Sequence, residues 1–380
     1  MESPPWQEEI RPSRGAGIDP AAGNGERMKA LHAALALVLC LTAGGAARAA
    51  ALRVLFEAPW DPAPRPQFAQ RLAGADVFAP QWLTLTAADG TIVVADDPAA
   101  RTALKQRPRV AVMPVVVNAH DGVWDTAAAG SAIADPAVRD HVLDQLAGLA
   151  RTHRFKGYLF DFEALTPESA AAYPAFLTAA RGRLGKAGVA VWVTAPLSAD
   201  PLALAALAGA ADSVVLMAYD ECWATSTPGP VAGQDWLEFM LASRLPAAGG
   251  KRAIVALGAY AYDWPANGPA AVRSVTEAQA LAAAHSAPIV RDLATANATF
   301  RYTAQDGAAH EVWMTDAVTW AWERAAVHAS GARGYALWRL GLEDPAIWST
   351  PAAGAVYAAG VVPKLPRCFL LAPAPMVSGG

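Results

Sequence analysis

The sequence predicts an α/β fold in which eight parallel strands, separated by helices, close into a (β/α)8 TIM barrel. From about residue 52 onwards, short apolar runs of β-type residues alternate with alanine-rich helical stretches. The runs are apolar on both faces, which is typical of parallel strands covered by helices. Eight such units fit into about 300 residues, the usual number and length for a closed barrel.

The predicted strands cover residues 53–61, 75–85, 109–118, 156–163, 189–196, 211–221, 252–264 and 333–341. A doubly wound open sheet is the structural alternative, but no glycine-rich turn follows the first strand. The stretch between the seventh and eighth strands, residues 265–332, contains a helical pattern and two strand-like runs around Asp306-Gly307. It predicts a small α+β insertion beside the mouth of the barrel.

The two ends of the chain are expected to lie outside the barrel. Residues 28–49 contain one lysine, an apolar run and Ala47-Arg48-Ala49, the pattern of a secretory signal peptide cleaved after Ala49. Residues 1–27 are either a disordered extension or lie upstream of the true start, and residues 351–380 form a tail. The predicted barrel therefore spans residues 50–350 of a secreted or periplasmic protein, whose mature form has no integral membrane domain.

Composition narrows the class of partner. The net charge is −4 and no basic stripe occurs, which argues against a nucleic-acid partner. The hydrophobic content of 54% is sufficient for one large core. Removal of the signal peptide leaves Cys222 and Cys368, which either pair in one disulfide or stay as free buried thiols.

Polar and aromatic residues occur at nearly every predicted strand end, where barrels of this kind carry their chemistry. In the fourth strand, KGYLFDFE, Asp161 and Glu163 share one face while Phe160 and Phe162 take the other. A single acid pair of this kind is often only a solvated strand end. The whole set predicts a site for a polyhydroxylated ligand: Trp60, Asn118, Asp161, Glu163, Tyr219, Asp220, Tyr262 and Trp338.

These motifs resemble those of glycoside hydrolase family 18, the chitinase family. KGYLFDFE is similar to the family signature D-G-x-D-x-D-x-E, LMAYDE to its M-x-Y-D motif, and GYALWRLG to its last strand, which ends in tryptophan. The resemblance covers about residues 52–350. It is nearest to a bacterial branch found alone or fused to polysaccharide deacetylase and glycosyltransferase modules. Two signature acids are replaced, by Lys156 and Leu159.

The resemblance implies a glycoside hydrolase that cleaves β-1,4-linked N-acetylglucosamine-type polysaccharide by a substrate-assisted retaining mechanism. Glu163 would act as general acid and base, and Asp161 would orient the 2-acetamido group that serves as nucleophile. Tyr219 would donate a hydrogen bond to that group, with Asp220 beside it. The substrate-binding side chains would be Trp60, Asn118, Tyr262 and Trp338. No metal or cofactor is implied.

A non-hydrolytic, chitinase-like protein that binds an amino-sugar polysaccharide or oligosaccharide is the alternative function. Lys156 and Leu159, in place of two signature acids, favour this alternative, and Leu159 cannot share a proton with Asp161. The retained Glu163 favours an enzyme. A third hypothesis, an unrelated open-sheet hydrolase, is disfavoured because the sequence contains no G-x-S-x-G motif. The sequence leaves the oligomeric state open.

Overall fold

The computed structural model describes residues 51–59, 68–120 and 122–349. The predicted signal peptide, the predicted tail and Trp60 lie outside these ranges. Cys222 is buried and disulfide-bonded, so it is not a free thiol. No helix in the described ranges combines the length and the apolar character that a membrane span requires.

The described strands are β1 (Leu52–Glu57), β2 (Val77–Pro80), β3 (Leu83–Leu85), β4 (Ile92–Val94), β5 (Ala111–Val112), β6 (Val115–Val117), β7 (Ala119–His120), β8 (Val123–Trp124), β9 (Gly157–Asp161), β10 (Ala190–Pro196), β11 (Ser213–Ala218), β12 (Ile254–Gly258), β13 (Ala261–Pro265), β14 (Ala271–Arg273), β15 (Val290–Arg291), β16 (Ala298–Thr303), β17 (Ala309–Met314) and β18 (Gly334–Trp338). The described α-helices are α1 (Phe68–Leu72), α2 (Pro98–Lys105), α3 (Thr126–Ala134), α4 (Pro136–His153), α5 (Pro167–Leu184), α6 (Pro201–Ala210), α7 (Gln234–Arg244), α8 (Val275–Ala284) and α9 (Ala317–Ser330).

The largest sheet is mixed only at β4; its other pairings are parallel. Its strand order is β4-β3-β6-β9-β10-β11-β12-β18-β1-β2-β5. The strands β5 and β6 lie far apart in this order, yet only Met113 and Pro114 separate them in the chain. The sheet therefore curls back toward itself. Proline lacks the N–H that a ladder needs, which accounts for the interruption between the two strands.

Helices α2, α4, α5 and α6 begin with the same local signal. In each, an Asp or Thr accepts hydrogen bonds from the first backbone amides and a proline occupies the next position. Such a cap contributes about 1 kcal/mol, and proline at the first helical position is already in a helical conformation. The pairs are Asp97-Pro98, Asp135-Pro136, Thr166-Pro167 and Asp200-Pro201. These caps fix where each of the four helices begins, and that of α4 directly follows α3.

The curled sheet separates two apolar clusters. The larger lies between the sheet and the helices and includes Phe160 and Phe162, whereas the smaller lies inside the curl and includes Leu159 and Val117. Side chains along β9 therefore alternate as the sequence predicts, with Leu159 and Asp161 directed inward. This register brings the acid pair to the inner face.

The seventh predicted strand, residues 252–264, is two strands. The first, β12, ends at Gly258, and the chain then enters β13 of a separate antiparallel sheet with the order β14-β13-β17-β16-β15. A Cβ on Gly258 would lie 2.8 Å from Tyr219 Cβ and 2.8 Å from Tyr260 Cε1, so the chain passes too closely for a larger residue. The prediction that Tyr262 stands at the end of a barrel strand is therefore wrong. It lies on β13, and the second sheet begins before residue 265.

Replacement of Gly334 tests the pairing of the first and last strands. A Cβ there would lie 2.0 Å from the Leu52 carbonyl oxygen, a backbone atom that cannot rotate away. We expect Gly334→Ala to lower the free energy of unfolding by about 1–3 kcal/mol or more in urea denaturation. The matched control is Gly182→Ala in α5, where nothing lies within 4 Å, and it should be neutral or stabilise by about 0.5–1 kcal/mol. Equal stabilities for the two variants would contradict this pairing of β1 and β18.

Candidate active site

Asp161 is the last residue of β9, and 7% of its surface is exposed. The next strand of the sheet, β10, brings a hydroxyl to it, and Thr194 Oγ1 donates a hydrogen bond of 2.5 Å to Asp161 Oδ1. Burial raises the pKa of Asp161 to about 6, while the bond from Thr194 opposes that rise. One pleat below, Leu159 is fully buried, so this carboxyl meets apolar core on that side.

Glu163 lies two residues beyond Asp161 and remains partly exposed. Burial, followed by the charges of Asp161 and Asp220, raises the pKa of Glu163 well above its usual range. A carboxyl with a raised pKa keeps its proton to higher pH than an exposed carboxyl does and can donate it to a ligand.

Asn118 follows β6 directly and holds the backbone of Glu163. Its Oδ1 accepts a hydrogen bond of 2.9 Å from Glu163 N, and its Nδ2 donates to Glu163 O at 3.0 Å and to Asp125 O at 3.1 Å. The Asn118 side chain is 0% exposed. Within the described residues, the Asn118 side chain therefore bonds to backbone atoms and does not face solvent.

Tyr219 and Trp338 form an aromatic pair across the mouth. Tyr219 follows β11, Trp338 ends β18, and their rings stack with centroids 6.1 Å apart and planes 10° from parallel. Both side chains stay partly exposed. Burial and the charges of the nearby carboxylates raise the pKa of the Tyr219 phenol, so it remains a hydrogen-bond donor.

Asp220 is held by two phenols, Tyr260 from the connection between β12 and β13 and Tyr262 from β13. Tyr260 and Tyr262 both donate to Asp220 Oδ1, the latter at 3.0 Å. Burial raises the pKa of Asp220, and the two hydrogen bonds oppose the rise. Asp220 itself has a φ of 57°, in the left-handed region, where Asp and Asn occur more often than most residues.

The structure describes all of the predicted site residues except Trp60. Asp161, Glu163, Tyr219 and Asp220 are close enough for their charges to shift one another's pKa values. The remaining three make different contacts from those expected of substrate-binding residues alone. Asn118 bonds to the backbone of Glu163, Tyr262 to Asp220, and Trp338 stacks on Tyr219.

Three residues that contact the site or its inner cluster were not predicted from the sequence: Thr194, Tyr260 and Trp124. Thr194 is a hydroxyl in an otherwise apolar run, and Tyr260 has the same spacing from Tyr262 that Asp161 has from Glu163. Trp124 packs against the inner cluster that also contacts Tyr219 and Trp338. Thr194 could have been identified from the sequence, because it is the one polar residue in the apolar run VAVWVTAP.

The site is therefore a group of one buried and two partly buried carboxyls, with phenol donors and stacked rings, at the carboxyl ends of parallel strands. This arrangement suits acid–base chemistry on a ligand with apolar ring faces and polar edges. Within the described residues, no group of three or more His, Cys, Asp or Glu side chains is arranged to hold a metal ion.

Known proteins with related sequences are glycosylases. The chain is 25% identical over 269 residues to an uncharacterised glycosylase of Bacillus subtilis, covering 67% of this chain and 78% of that protein. It is 27% identical over 257 residues to the cortical fragment-lytic enzyme of the same organism, covering 62% and 58%. The matched region thus spans somewhat more than half of the latter's length. No protein-family model matches the chain.

Two solved structures illustrate the likeness of fold. A chitinase from Chromobacterium violaceum has a TM-score of 0.70 and 27% identity, with 79% of this chain and 97% of that chain covered. A spore cortex-lytic enzyme from Bacillus megaterium has a TM-score of 0.72 at 22% identity, with 79% and 72% covered, which shows the fold alone. The chain is therefore similar to glycosylases in sequence and to chitinase-type structures in fold.

Removal of the Thr194 hydroxyl should raise the pKa of Asp161 further. Thr194→Val keeps the shape of the side chain but deletes the hydrogen bond that opposes the effect of burial. The measurement is a carboxyl carbon NMR titration, with Asp161→Asn used to assign the signal. Thr178→Val, on the exposed face of α5, is the control and should leave the titration unchanged. An Asp161 titration that does not move in Thr194→Val would contradict the bond.

Neutralisation of Asp161 should stabilise the fold at pH 7.5 but not at pH below about 4. A carboxyl whose pKa is 3.8 unfolded and about 6 folded binds more protons in the folded state, so stability falls as pH rises through that window. The gain in Asp161→Asn is bounded by about 3 kcal/mol, the equivalent of that pKa difference. Urea denaturation at both pH values checks this, with the exposed Asp140→Asn as control. An advantage that is equal at both pH values would contradict it.

Proposed function

We propose that this protein is a glycoside hydrolase of the chitinase family, family 18, which cleaves β-1,4-linked N-acetylglucosamine-type polysaccharide. One observation carries the proposal: Glu163 is accessible to a ligand, yet partial burial and the nearby charges of Asp161 and Asp220 raise the pKa of its carboxyl. The relatives named as glycosylases support the same class. Motif similarity favours the branch that includes fusions to deacetylase and glycosyltransferase modules.

The proposed fold is a complete (β/α)8 barrel with the second sheet and α8 inserted between its seventh and eighth strands. In this proposal β2 with β3, and β5 with β6, each form one interrupted barrel strand. The parallel pairing of β1 with β18 and with β2 supports it, because the first strand lies between the last and the second.

In the proposed first step, Glu163 donates its proton to the glycosidic oxygen as the bond between that oxygen and C1 breaks. The carbonyl oxygen of the substrate's 2-acetamido group bonds to C1 from the opposite face and forms an oxazolinium ion. Asp161 stabilises the positive charge that develops on the acetamido nitrogen. The Tyr219 hydroxyl donates a hydrogen bond to the acetamido oxygen, and Trp338 supports the apolar face of the sugar.

In the proposed second step, the Glu163 carboxylate takes a proton from water, and the resulting hydroxide attacks C1. The bond between C1 and the acetamido oxygen breaks, which restores both the acetamido group and the protonated Glu163. The configuration at C1 is retained because it is inverted twice. The scheme requires a protonated Glu163 beside an ionised Asp161, and the pKa shifts of both carboxyls are compatible with that.

The substrate class follows from this chemistry. A polymer is cleaved only where the reacting sugar carries a 2-acetamido group, as in chitin and in the glycan strands of peptidoglycan. Proteins named cortical fragment-lytic enzyme are among the relatives, which favours a cell-wall glycan. We further propose that the signal pattern in residues 28–49 directs the protein to the periplasm or out of the cell.

Glu163→Gln should lower turnover by about 10²- to 10⁴-fold while binding persists, because the amide keeps the shape but has no acidic proton. Asp161→Asn should also reduce turnover, and Tyr219→Phe should reduce it less. N-acetylglucosamine oligomers and purified peptidoglycan are the substrates, read by mass spectrometry. De-N-acetylated oligomers are the matched control and should not be cleaved, since they lack the nucleophile.

Two outcomes would count against the enzyme. If the Glu163→Gln variant hydrolyses these polymers as fast as the parent, Glu163 is not the proton donor. A parent protein that binds the oligomers but never cleaves them would favour the non-hydrolytic binding protein, and the apolar Leu159 below Asp161 would be the first position to change.

A further inference from the structure

The backbone of Glu163 lies just beyond the last rung of its sheet. Strands β6 and β9 pair from Val115 with Leu159 to Val117 with Asp161. The next residue of the same register would be Ala119 opposite Glu163, but Ala119 pairs instead with Trp124 in the two-stranded ribbon of β7 and β8. Glu163 therefore leaves the sheet without the partner strand that holds Asp161.

The Asn118 side chain supplies the missing rung. Its oxygen accepts from Glu163 N at 2.9 Å and its amide nitrogen donates to Glu163 O at 3.0 Å, the two hydrogen bonds that a neighbouring strand would make. The second amide hydrogen goes to Asp125 O at 3.1 Å. Both donors are thus used within the protein, and the side chain is fully buried.

A second contact holds the following residue. Thr126, the first residue of α3, donates from Oγ1 to Ala164 O at 2.9 Å. Ala164 has a φ of 51°, a left-handed conformation that is unfavourable for alanine. Asn118 and Thr126 are in turn connected through Asp125, because Asp125 N donates to Asn118 O at 2.6 Å and the Asp125 side chain caps α3.

We propose that Asn118, Asp125 and Thr126 form a clamp that positions Glu163, with Asn118 as the principal positioning residue and Thr126 as the second. The inference rests on the proposed function, in which Glu163 is the proton donor. In this inference Asn118 positions the acid Glu163 and does not bind the substrate. An acid must lie within hydrogen-bonding distance of the glycosidic oxygen, and a displacement of about 1 Å can reduce the rate about 10²-fold.

The clamp also controls the charge state of the acid. Burial and the charges of Asp161 and Asp220 raise the pKa of Glu163. All three effects weaken if the carboxyl moves outward into water, so release of the clamp lowers that pKa. This consequence separates a positioning residue from one that only stabilises the fold.

The test compares Asn118→Ala with Gln145→Ala. Gln145 makes the same kind of contact but bonds to none of the site residues: its Nε2 donates to Gly90 O at 2.7 Å and its Oε1 accepts from Ile92 N at 3.2 Å. Each variant loses a side-chain amide that accepts from one backbone N–H and donates to at least one backbone carbonyl oxygen. Asn118→Ala should reduce kcat about 10- to 100-fold with little change in KM, and should move the alkaline limb of the kcat profile to lower pH. Gln145→Ala should lose stability but keep the parental kcat and pH profile.

Two further variants keep the inference testable if Asn118→Ala does not fold. Asn118→Leu has nearly the same volume and adds no charge, but it can neither accept from Glu163 N nor donate to Glu163 O, so it should show the same shift of the alkaline limb. Thr126→Val removes the single bond to Ala164 O and should show a smaller shift in the same direction. A raised KM with unchanged kcat and pH profile in the Asn118 variants would contradict the proposed clamp. It would indicate that Asn118 binds the substrate.

A carboxyl carbon NMR titration of Glu163, assigned with Glu163→Gln, gives a readout that needs no turnover. The Glu163 pKa should fall in Asn118→Ala and stay unchanged in Gln145→Ala. If Glu163→Gln is inactive but the Asn118 variants keep the parental titration and profile, the clamp fails and the proposed function stands. If Glu163→Gln is fully active, the proposed function fails, while a lowered Glu163 pKa in Asn118→Ala still supports the clamp.

Discussion

The cost of removing carboxyl groups from water is the constraint on which this site depends. Burial is the largest cause of the raised pKa values of Asp161, Glu163 and Asp220, and the charges of Asp161 and Asp220 raise that of Glu163 further. An unpaired buried charge is costly, so each carboxyl that ionises needs a donor nearby. Thr194 serves Asp161, and two tyrosines serve Asp220.

The donors come from different parts of the fold. The curled sheet provides Thr194 on the strand beside Asp161, whereas Tyr260 and Tyr262 come from the chain that leaves β12 for the second sheet. Below Asp161 the inner core is apolar because Leu159 occupies the next inward position. Leu159 therefore offers no polar group to the Asp161 carboxyl. The hydrogen bond to this carboxyl comes instead from Thr194 on the neighbouring strand β10.

The alternation of apolar runs and helical stretches was sufficient to predict the parallel strands and the inward direction of Asp161. It was insufficient at Gly258, because the run RAIVALGAYAYDW stays apolar and aromatic through the point where the chain changes sheets. The close approach of Tyr219 and Tyr260 to Gly258 decides that point, and only the folded chain contains it. Likewise, the position of Asn118 at a strand end was predictable, but its partner was not, because spacing alone does not distinguish a backbone amide from a sugar hydroxyl.

The change of sheets after Gly258 limits how far the protein can be shortened to its largest sheet and the helices around it. Tyr260 and Tyr262, which donate to Asp220, belong to the excursion that such a deletion would cut away. Asp220 would then remain partly buried without those phenols, and the electrostatic environment of Glu163 would change with it. The chain that follows β12 thus supplies the hydrogen bonds to a carboxyl of the site, and a shortened protein would need new donors after the end of β12.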